Sequence, residues 1–127
     1  MNANELRIGN LVFHNGEIIA IKSIHPGDDD VNDEIPFHAI FGIPITEEWL
    51  LKFGFEREYE LRKTVYHMNN YSIILWVYKN GRIDLRIGGI DFKDKDVRFK
   101  KYQYVHQLQN LYYALTQTEL EIETLQV

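Results

Sequence analysis

Three turn dipeptides constrain this chain more than any other feature, because each lies between segments in which apolar and polar residues alternate: Asn15-Gly16, Asn69-Asn70 and Asn80-Gly81. Asn and Gly suit two-residue hairpin turns, in which both central residues have positive φ. Neighbouring strands joined by such turns run antiparallel, and the chain offers no helical crossover between them. The sequence therefore predicts an α+β fold built on antiparallel strands.

The first turn organises the start of the chain. It joins LRIGNLVFH to EIIAIKSIH and predicts a hairpin in which Phe13 lies opposite Ile18, and Leu11 opposite Ala20. The R-x-G-N-L-V opening followed by a hairpin resembles the first strands of SH3-like barrels. We expect an N-terminal SH3-like hairpin or small barrel within a β lobe over residues 1–45, which belongs to a single domain spanning 1–127.

Charge is concentrated in two short segments. The acidic residues between Asp28 and Glu34 carry −5, which equals the net charge of the whole chain. They predict a mobile surface loop, and the EF-hand spacing of ligands is missing, so no metal site is predicted. The segment from Lys93 to Lys101 carries +3 and predicts a short edge strand at Val97 and Phe99. A local basic segment of this kind argues against a nucleic-acid binder, which needs a dominant basic footprint.

A short helix is predicted after residue 45. Thr46 is a suitable N-cap, carboxylates follow it in the first turn, and Gly54 is placed as the left-handed stop. Trp49, Leu50 and Phe53 are expected to pack into the core.

The remaining turns predict a three-stranded meander over residues 59–89. Two-residue turns pair Trp76 with Leu85 and Val65 with Ile74, and they give one face as core: Leu61, Val65, Ile74, Trp76, Tyr78, Ile83, Leu85 and Ile87. The other face is predicted to hold Arg62, Thr64, Tyr66, Ile73, Leu75, Val77, Asp84 and Arg86. Because Ile73, Leu75 and Val77 are apolar, this second face is expected to be partly covered, with Arg62 and Arg86 at the rim of a cleft.

The stretch from Tyr102 to Thr118 contains no charged residue and predicts a C-terminal helix packed on the sheet. One stripe is apolar: Val105, Leu108, Leu111, Tyr112 and Leu115. The other side is polar but uncharged: His106, Gln107, Gln109, Asn110, Tyr113 and Gln117. A freely solvated helix face usually carries Lys and Glu, so this side is expected to contact something. Internal hydrogen bonding and an external binding surface both remain open. A short terminal strand is expected over residues 119–127.

Three motifs carry a resemblance to known sequences: ELRIGNLV near the start, ITEEWLLKFGF from Ile45 to Phe55, and YVHQLQNLYYALT from Tyr104 to Thr116. Together they resemble a family of small uncharacterised proteins of bacteria, phages and mobile elements. The resemblance implies a small accessory protein of phage or mobile-element origin, and it provides no catalytic residues to carry over.

The chain lacks the usual signatures of an enzyme. Cysteine is absent, the histidines show no H-x-x-x-H or H-x-H pair, and no glycine-rich loop joins a strand to a helix. The sequence predicts no catalytic activity and no cofactor. It contains neither a signal peptide nor an apolar run long enough for a membrane span, so a cytoplasmic location is expected.

Two functions remain from different classes. In the first, the protein binds a small anionic ligand such as a signalling nucleotide and sequesters it as a counter-defence against the host. The residues proposed for that site are Arg62, Arg86, Trp76, Tyr78, His106, Asn110 and Tyr113, with Tyr112, Lys100 and Lys101 as further candidates. In the second, the uncharged helix face is the interface of a homodimer or of a complex with a host protein.

Overall fold

The computed structural model describes residues 1, 3–68, 72–79, 83–87, 89–92 and 104–122, with residues 91 and 92 described by their backbone alone. The fold is mixed α+β with antiparallel sheets, which confirms the predicted class. The described strands are β1 (Leu11–His14), β2 (Glu17–Ala20), β3 (Ile24–His25), β4 (Asp30–Val31), β5 (Ile35–Pro36), β6 (Glu56–Tyr59), β7 (Lys63–Met68), β8 (Ile73–Tyr78), β9 (Ile83–Ile87) and β10 (Ile90–Phe92). The helices are α1 (Glu47–Lys52) and α2 (Val105–Thr116).

The N-terminal hairpin forms as predicted. Phe13 lies opposite Ile18 and Leu11 opposite Ala20 in the β1–β2 pair. Asn15 and Gly16 adopt φ of 52° and 76°, the conformation that an Asn-Gly turn supplies at low cost. The strands of the N-terminal lobe form two separate sheets, β1–β2 and β3–β4–β5. The SH3-like barrel stays a prediction.

The acidic segment differs from the expected loop. Asp30 and Val31 form the central strand of a three-stranded sheet, with Val31 fully buried. Asn32 closes the turn that follows: its side-chain oxygen accepts hydrogen bonds from the backbone N–H of Lys22 at 2.7 Å and of Ser23 at 3.2 Å. These contacts satisfy backbone groups that a solvated loop would leave to water, so carboxylate repulsion does not decide the local structure.

Helix α1 begins and ends where its capping residues place it. The Thr46 hydroxyl accepts a hydrogen bond from the backbone N–H of Trp49 at 3.4 Å, and Gly54 has a φ of 91°. Trp49, Leu50 and Phe53 are buried, as predicted.

A five-stranded antiparallel sheet in the order β10-β9-β8-β7-β6 replaces the predicted three-stranded meander. The predicted first strand is interrupted at residues 60–62, so β6 pairs with β7, and Glu58 lies opposite Val65. After β9 the chain reverses direction, and β10 pairs antiparallel with β9 as a fifth strand.

The predicted assignment of sheet faces was wrong for β7 and β8. Leu75 lies opposite Leu85, and Val77 opposite Ile83, one residue away from the register of a two-residue turn. A shift by one residue moves a strand's side chains to the other face. The core face therefore carries Tyr66, Ile73, Leu75, Leu85 and Ile87, all buried.

Several residues predicted for the core therefore lie elsewhere. Leu61 is 85% exposed. Ile74, Trp76 and Tyr78 lie on the side of β8 that faces away from the core, because side chains alternate along each strand. Val65 is on the same outer face but is only 5% exposed, so its predicted burial is confirmed. Ile83, Leu85 and Ile87 were assigned to the core correctly.

Helix α2 packs on the core face through the predicted stripe. Val105, Leu108, Leu111 and Tyr112 are buried in the same cluster as the sheet residues, whereas Leu115 is 38% exposed. The expected terminal strand was wrong for residues 119–122, which are not in a strand, and its remainder lies outside the described residues.

A second apolar cluster fills the N-terminal lobe and draws its buried members from residues 6–40. The predicted edge strand at Val97 and Phe99 lies outside the described residues. In the part of the chain that the structure describes, no helix is both long and apolar enough to cross a membrane.

Candidate functional site

The uncharged flank of α2 contacts the chain's own N-terminal segment, which we define as residues 3–10. Asn110 accepts a hydrogen bond from the Asn10 side-chain amide at 2.7 Å and donates one to the backbone carbonyl of Glu5 at 3.0 Å. His106 lies one turn earlier on the same flank and is only 1% exposed. The expectation that this side contacts something is confirmed, and the contacting element is intramolecular.

Two further residues of α2 join this contact. The Arg7 guanidinium lies 4.3 Å from the ring centroid of Tyr113 and binds the Glu119 carboxylate at 2.5 Å and 3.1 Å. The buried Gln109 side chain accepts from the backbone N–H of Leu11 at 2.9 Å. These polar groups of α2 thus satisfy backbone and side-chain partners of the segment they cover.

Trp76 and Arg86 lie on the outer face of the sheet, which is the face opposite the one that carries α2. The Arg86 guanidinium lies 5.5 Å from the ring centroid of Trp76, in a cation–π arrangement. Arg62 is exposed in the connection before β7, where its carbonyl accepts from the backbone N–H of Lys79 at 3.3 Å.

The seven predicted ligand-binding residues therefore do not converge. His106, Asn110 and Tyr113 lie on the α2 flank, Trp76 and Arg86 lie together on the outer face, and Arg62 lies apart from both groups. Among the further candidates, Tyr112 is in the core, and Lys100 and Lys101 are outside the described residues.

An open groove lies between α1 and one end of the five-stranded sheet. Its volume is about 610 Å³, within the range of ordinary ligand pockets. Its apolar wall comes from four side chains that line it: Ile45, Leu50, Val77 and Ile83. Of the seven predicted residues, only Tyr78 lines this groove.

Tyrosine rings and charged groups supply the polar part of the same lining. Three tyrosines face the groove from different strands, and two lysines and two glutamates accompany them: Tyr59, Tyr66, Tyr78, Lys63, Lys79, Glu47 and Glu60. Aromatic rings provide stacking surfaces and lysines provide point charges, the two kinds of group that recognise a planar anion.

The charges of the groove are partly neutralised within the protein. Glu47 forms an ion pair with Arg57, and Glu60 lies 3.9 Å from the Lys63 ammonium. Within the described ranges, Lys79 has no carboxylate at ion-pairing distance. Lys79 is therefore the cation with the least internal compensation in the groove.

Tyr66 lines the groove and has a pKa that its environment shifts. Burial raises its pKa above the usual 10.0, Arg57 acts in the opposite direction, and Tyr59 adds to the increase. The phenol therefore stays protonated at neutral pH and can donate a hydrogen bond, whereas a catalytic tyrosinate needs a lowered pKa.

The sequence interpretation missed most of these groove residues for a topological reason. Val65 was expected to pair with Ile74, but it lies opposite Trp76. Lys63 consequently lies opposite Tyr78, with its ammonium 5.4 Å from that ring's centroid. Tyr59 and Lys79 come together through the β6–β7 and β7–β8 pairs. The available signal was limited to Tyr59 at the start of the first predicted strand of the meander and to Tyr78 and Lys79 at the end of the second.

The described residues contain no group of three His, Cys, Asp or Glu side chains arranged to hold a metal ion. Compared with protein-family models, with curated proteins and with solved structures, the chain matches none of them. The resemblance to small proteins of phages and mobile elements therefore stays a prediction.

Proposed function

We propose that this protein is a non-catalytic binding protein whose groove between α1 and the sheet takes one small anionic ligand with an aromatic ring, such as a signalling nucleotide. The observation that carries the proposal is the convergence of three tyrosines and two lysines on one open groove. Those residues come from three neighbouring strands, β6, β7 and the end of β8, so strand pairing brings them together.

The chemistry of the lining supports a nucleotide-like ligand. A base would stack on a tyrosine ring, and the anionic group would lie against Lys79, the cation without an internal carboxylate partner among the described residues. If the resemblance to phage and mobile-element proteins holds, the biological role is sequestration of a host signalling nucleotide.

The alternative, a homodimer or a host-protein complex through the uncharged side of α2, has less support. His106 and Gln109 on that side are buried, and Asn110 is hydrogen-bonded to the N-terminal segment. A partner would have to displace those contacts, so the face is poorly suited to a permanent interface.

Calorimetric titration with a panel of nucleoside monophosphates, cyclic nucleotides and dinucleotides tests the proposal. We expect at least one compound to bind, and Lys79→Ala to weaken it by about 10- to 100-fold, the effect of losing one charge-assisted hydrogen bond. Arg62→Ala is the matched control, because Arg62 is an exposed cation near Lys79 that does not line the groove.

Two results would contradict the proposal that the groove binds the ligand. The first is the absence of binding by every compound in the panel. The second is a loss of affinity in Arg86→Ala with no change in Lys79→Ala, which would place the ligand on the outer face beside Trp76.

A further inference from the structure

The hydroxyl of Tyr66 is a polar group deep in the groove that the protein itself leaves without a hydrogen bond. Tyr66 is 4% exposed and lines the groove together with Leu50, which is 1% exposed. No residue that the structure describes bonds to the hydroxyl, yet the hydroxyl is not sealed from the space of the groove. Buried polar groups of folded proteins nearly always have a partner, so the molecule that fills the groove has to supply one.

The charged groups of the groove lie nearer its mouth than Tyr66 does. Glu47, Glu60 and Lys79 are exposed, and Lys63 is half-buried. Between them and the buried floor the walls are half-buried, and none of these four side chains is charged: Ile45, Thr64, Val77 and Ile83. Because a charge is costly to bury without a partner, a ligand enters with its uncharged end first and leaves its anionic group at the mouth.

The charges around the mouth leave room for one negative charge on the ligand. The two lysines and two glutamates of the lining cancel each other. Arg57 forms an ion pair with Glu47 and lies 4.8 Å from the ring centroid of Tyr59, so it adds one positive charge beside the groove. Burial raises the pKa of Tyr66, so the phenol stays protonated and adds none. Among the described residues the sum is therefore +1.

We propose that the ligand of the groove is a monoanion of the cyclic nucleoside monophosphate class, with its base at the Tyr66 hydroxyl and its phosphodiester at Lys79. This inference rests on the proposed function and narrows its ligand. Every nucleobase carries ring nitrogens or carbonyl oxygens that accept a hydrogen bond from a phenol. A cyclic phosphodiester carries a single negative charge, which matches the charge left over at the mouth.

Linear nucleotides fit the same groove less well. A terminal phosphate has a second pKa of about 6, so a linear monophosphate carries roughly −1.5 to −2 at neutral pH. Diphosphates and triphosphates carry more. With Lys79 already engaged, each additional negative charge meets the carboxylates of Glu47 and Glu60 at the same mouth.

Calorimetric titration with matched pairs tests the inference. Each pair consists of a cyclic nucleoside monophosphate and the linear monophosphate of the same base, so that the two compounds differ mainly in charge. We expect the cyclic member of the best-binding pair to bind at least about tenfold more tightly. The ratio is expected to fall as salt is added, because the charges at the mouth are exposed to screening.

Glu60→Gln tests whether charge sets this preference. It raises the charge at the mouth by one, so the linear compound gains more than the cyclic one, and the ratio is expected to fall by about three- to tenfold. Glu56→Gln is the matched control. It makes the same change at a side chain that is 81% exposed, lies on the outer face of the sheet and does not line the groove. Its ratio is expected to equal that of the original protein.

Tyr66→Phe tests the position of the base. The variant keeps the ring and loses the hydroxyl, so the cyclic compound is expected to bind about three- to tenfold more weakly, the effect of one neutral hydrogen bond. The ratio of cyclic to linear affinity is expected to stay the same, because no charge changes.

The inference is overturned, while the groove keeps its proposed function, if a linear monophosphate or a dinucleotide is the tightest ligand. It is also overturned if Glu60→Gln and Glu56→Gln give the same ratio, or if Tyr66→Phe binds the cyclic compound as tightly as the original protein does. Binding of none of the compounds contradicts the proposed function itself, and the inference fails with it.

Discussion

Replacement of Gln109 by Leu tests whether the polar side of α2 stabilises the fold through internal hydrogen bonds. The side chain is 3% exposed and bridges two backbone groups of the β1 entry. Its oxygen accepts from the N–H of Leu11 at 2.9 Å, and its amide donates to the carbonyl of Gly9 at 3.3 Å. Leucine has a similar volume and good helix propensity, so the substitution removes the hydrogen bonds while nearly preserving the packing.

The expected loss is about 2 kcal/mol. An unsatisfied buried N–H costs roughly 1–3 kcal/mol, and this applies to Leu11, whose N–H points to the helix. Gly9 is exposed, so water can replace the lost donor there at little cost. Leucine recovers part of the loss through its greater hydrophobicity. For a chain of this length, the sum corresponds to a melting temperature lower by roughly 6–10 °C.

Urea denaturation followed by tryptophan fluorescence, together with a thermal melt, measures the change. The control is Ala114→Leu, which places the same side chain at an exposed position of the same helix and is expected to stay within about 0.5 kcal/mol of the original protein. A Gln109→Leu variant that is as stable as the control would refute the internal role of the polar side. The uncharged face would then be available for an external partner.

Two further predictions concern the sheet and the groove. Leu75→Ala is expected to lower the free energy of unfolding by about 2–5 kcal/mol in denaturant titration, because Leu75 is 1% exposed. Leu61→Ala, at a position that is 85% exposed, is expected to change it by less than about 0.5 kcal/mol. Equal losses in the two variants would contradict the sheet register. The raised pKa of Tyr66 means that the unfolded chain loses the phenol proton first, so stability falls as pH rises above 10.0. Urea midpoints at pH 9 and 11 should show a smaller decrease in Tyr66→Phe, and identical decreases would rule out the raised pKa.

The features that were predictable from the sequence are those set by neighbouring residues. The Asn15-Gly16 turn fixes the register of β1 and β2, since the turn type requires positive φ at both positions. Thr46 and Gly54 fix the ends of α1 for the same kind of local reason. In each case the information lies within a few residues of the structure it determines.

The core face of the sheet was not predictable in the same way. Both faces of β8 carry apolar residues, so the alternation of hydrophobicity does not distinguish Leu75 from Trp76. The decision then depends on turn length, where one residue reverses the result. The observed pairing of Val77 with Ile83 differs by that single residue from the register of a two-residue Asn80-Gly81 turn.

The polar side of α2 shows a different limit of sequence interpretation. The absence of charge correctly indicated a contact, because a helix face in water rarely lacks Lys and Glu. The partner could not be identified, since Asn110 binds Asn10 across about a hundred residues of chain. The same contact also supplies the strongest reason against an external interface there, because a partner would have to replace bonds that the fold already makes.

The groove follows from this non-local assembly, and it moves the candidate site away from the residues that the sequence favoured. Trp76 and Arg86 were predicted to bind the ligand because they supply an aromatic ring and a guanidinium, yet they lie on the outer face of the sheet. Tyr78 remains in the site because it ends β8 next to the start of β7, where Lys63 lies opposite it. A site of this kind is defined by strand ends, and the register has to be known before its residues can be named. The Leu75→Ala experiment therefore tests the proposed function as well as the stability. In the register predicted from two-residue turns, the residues that line the groove would not lie together.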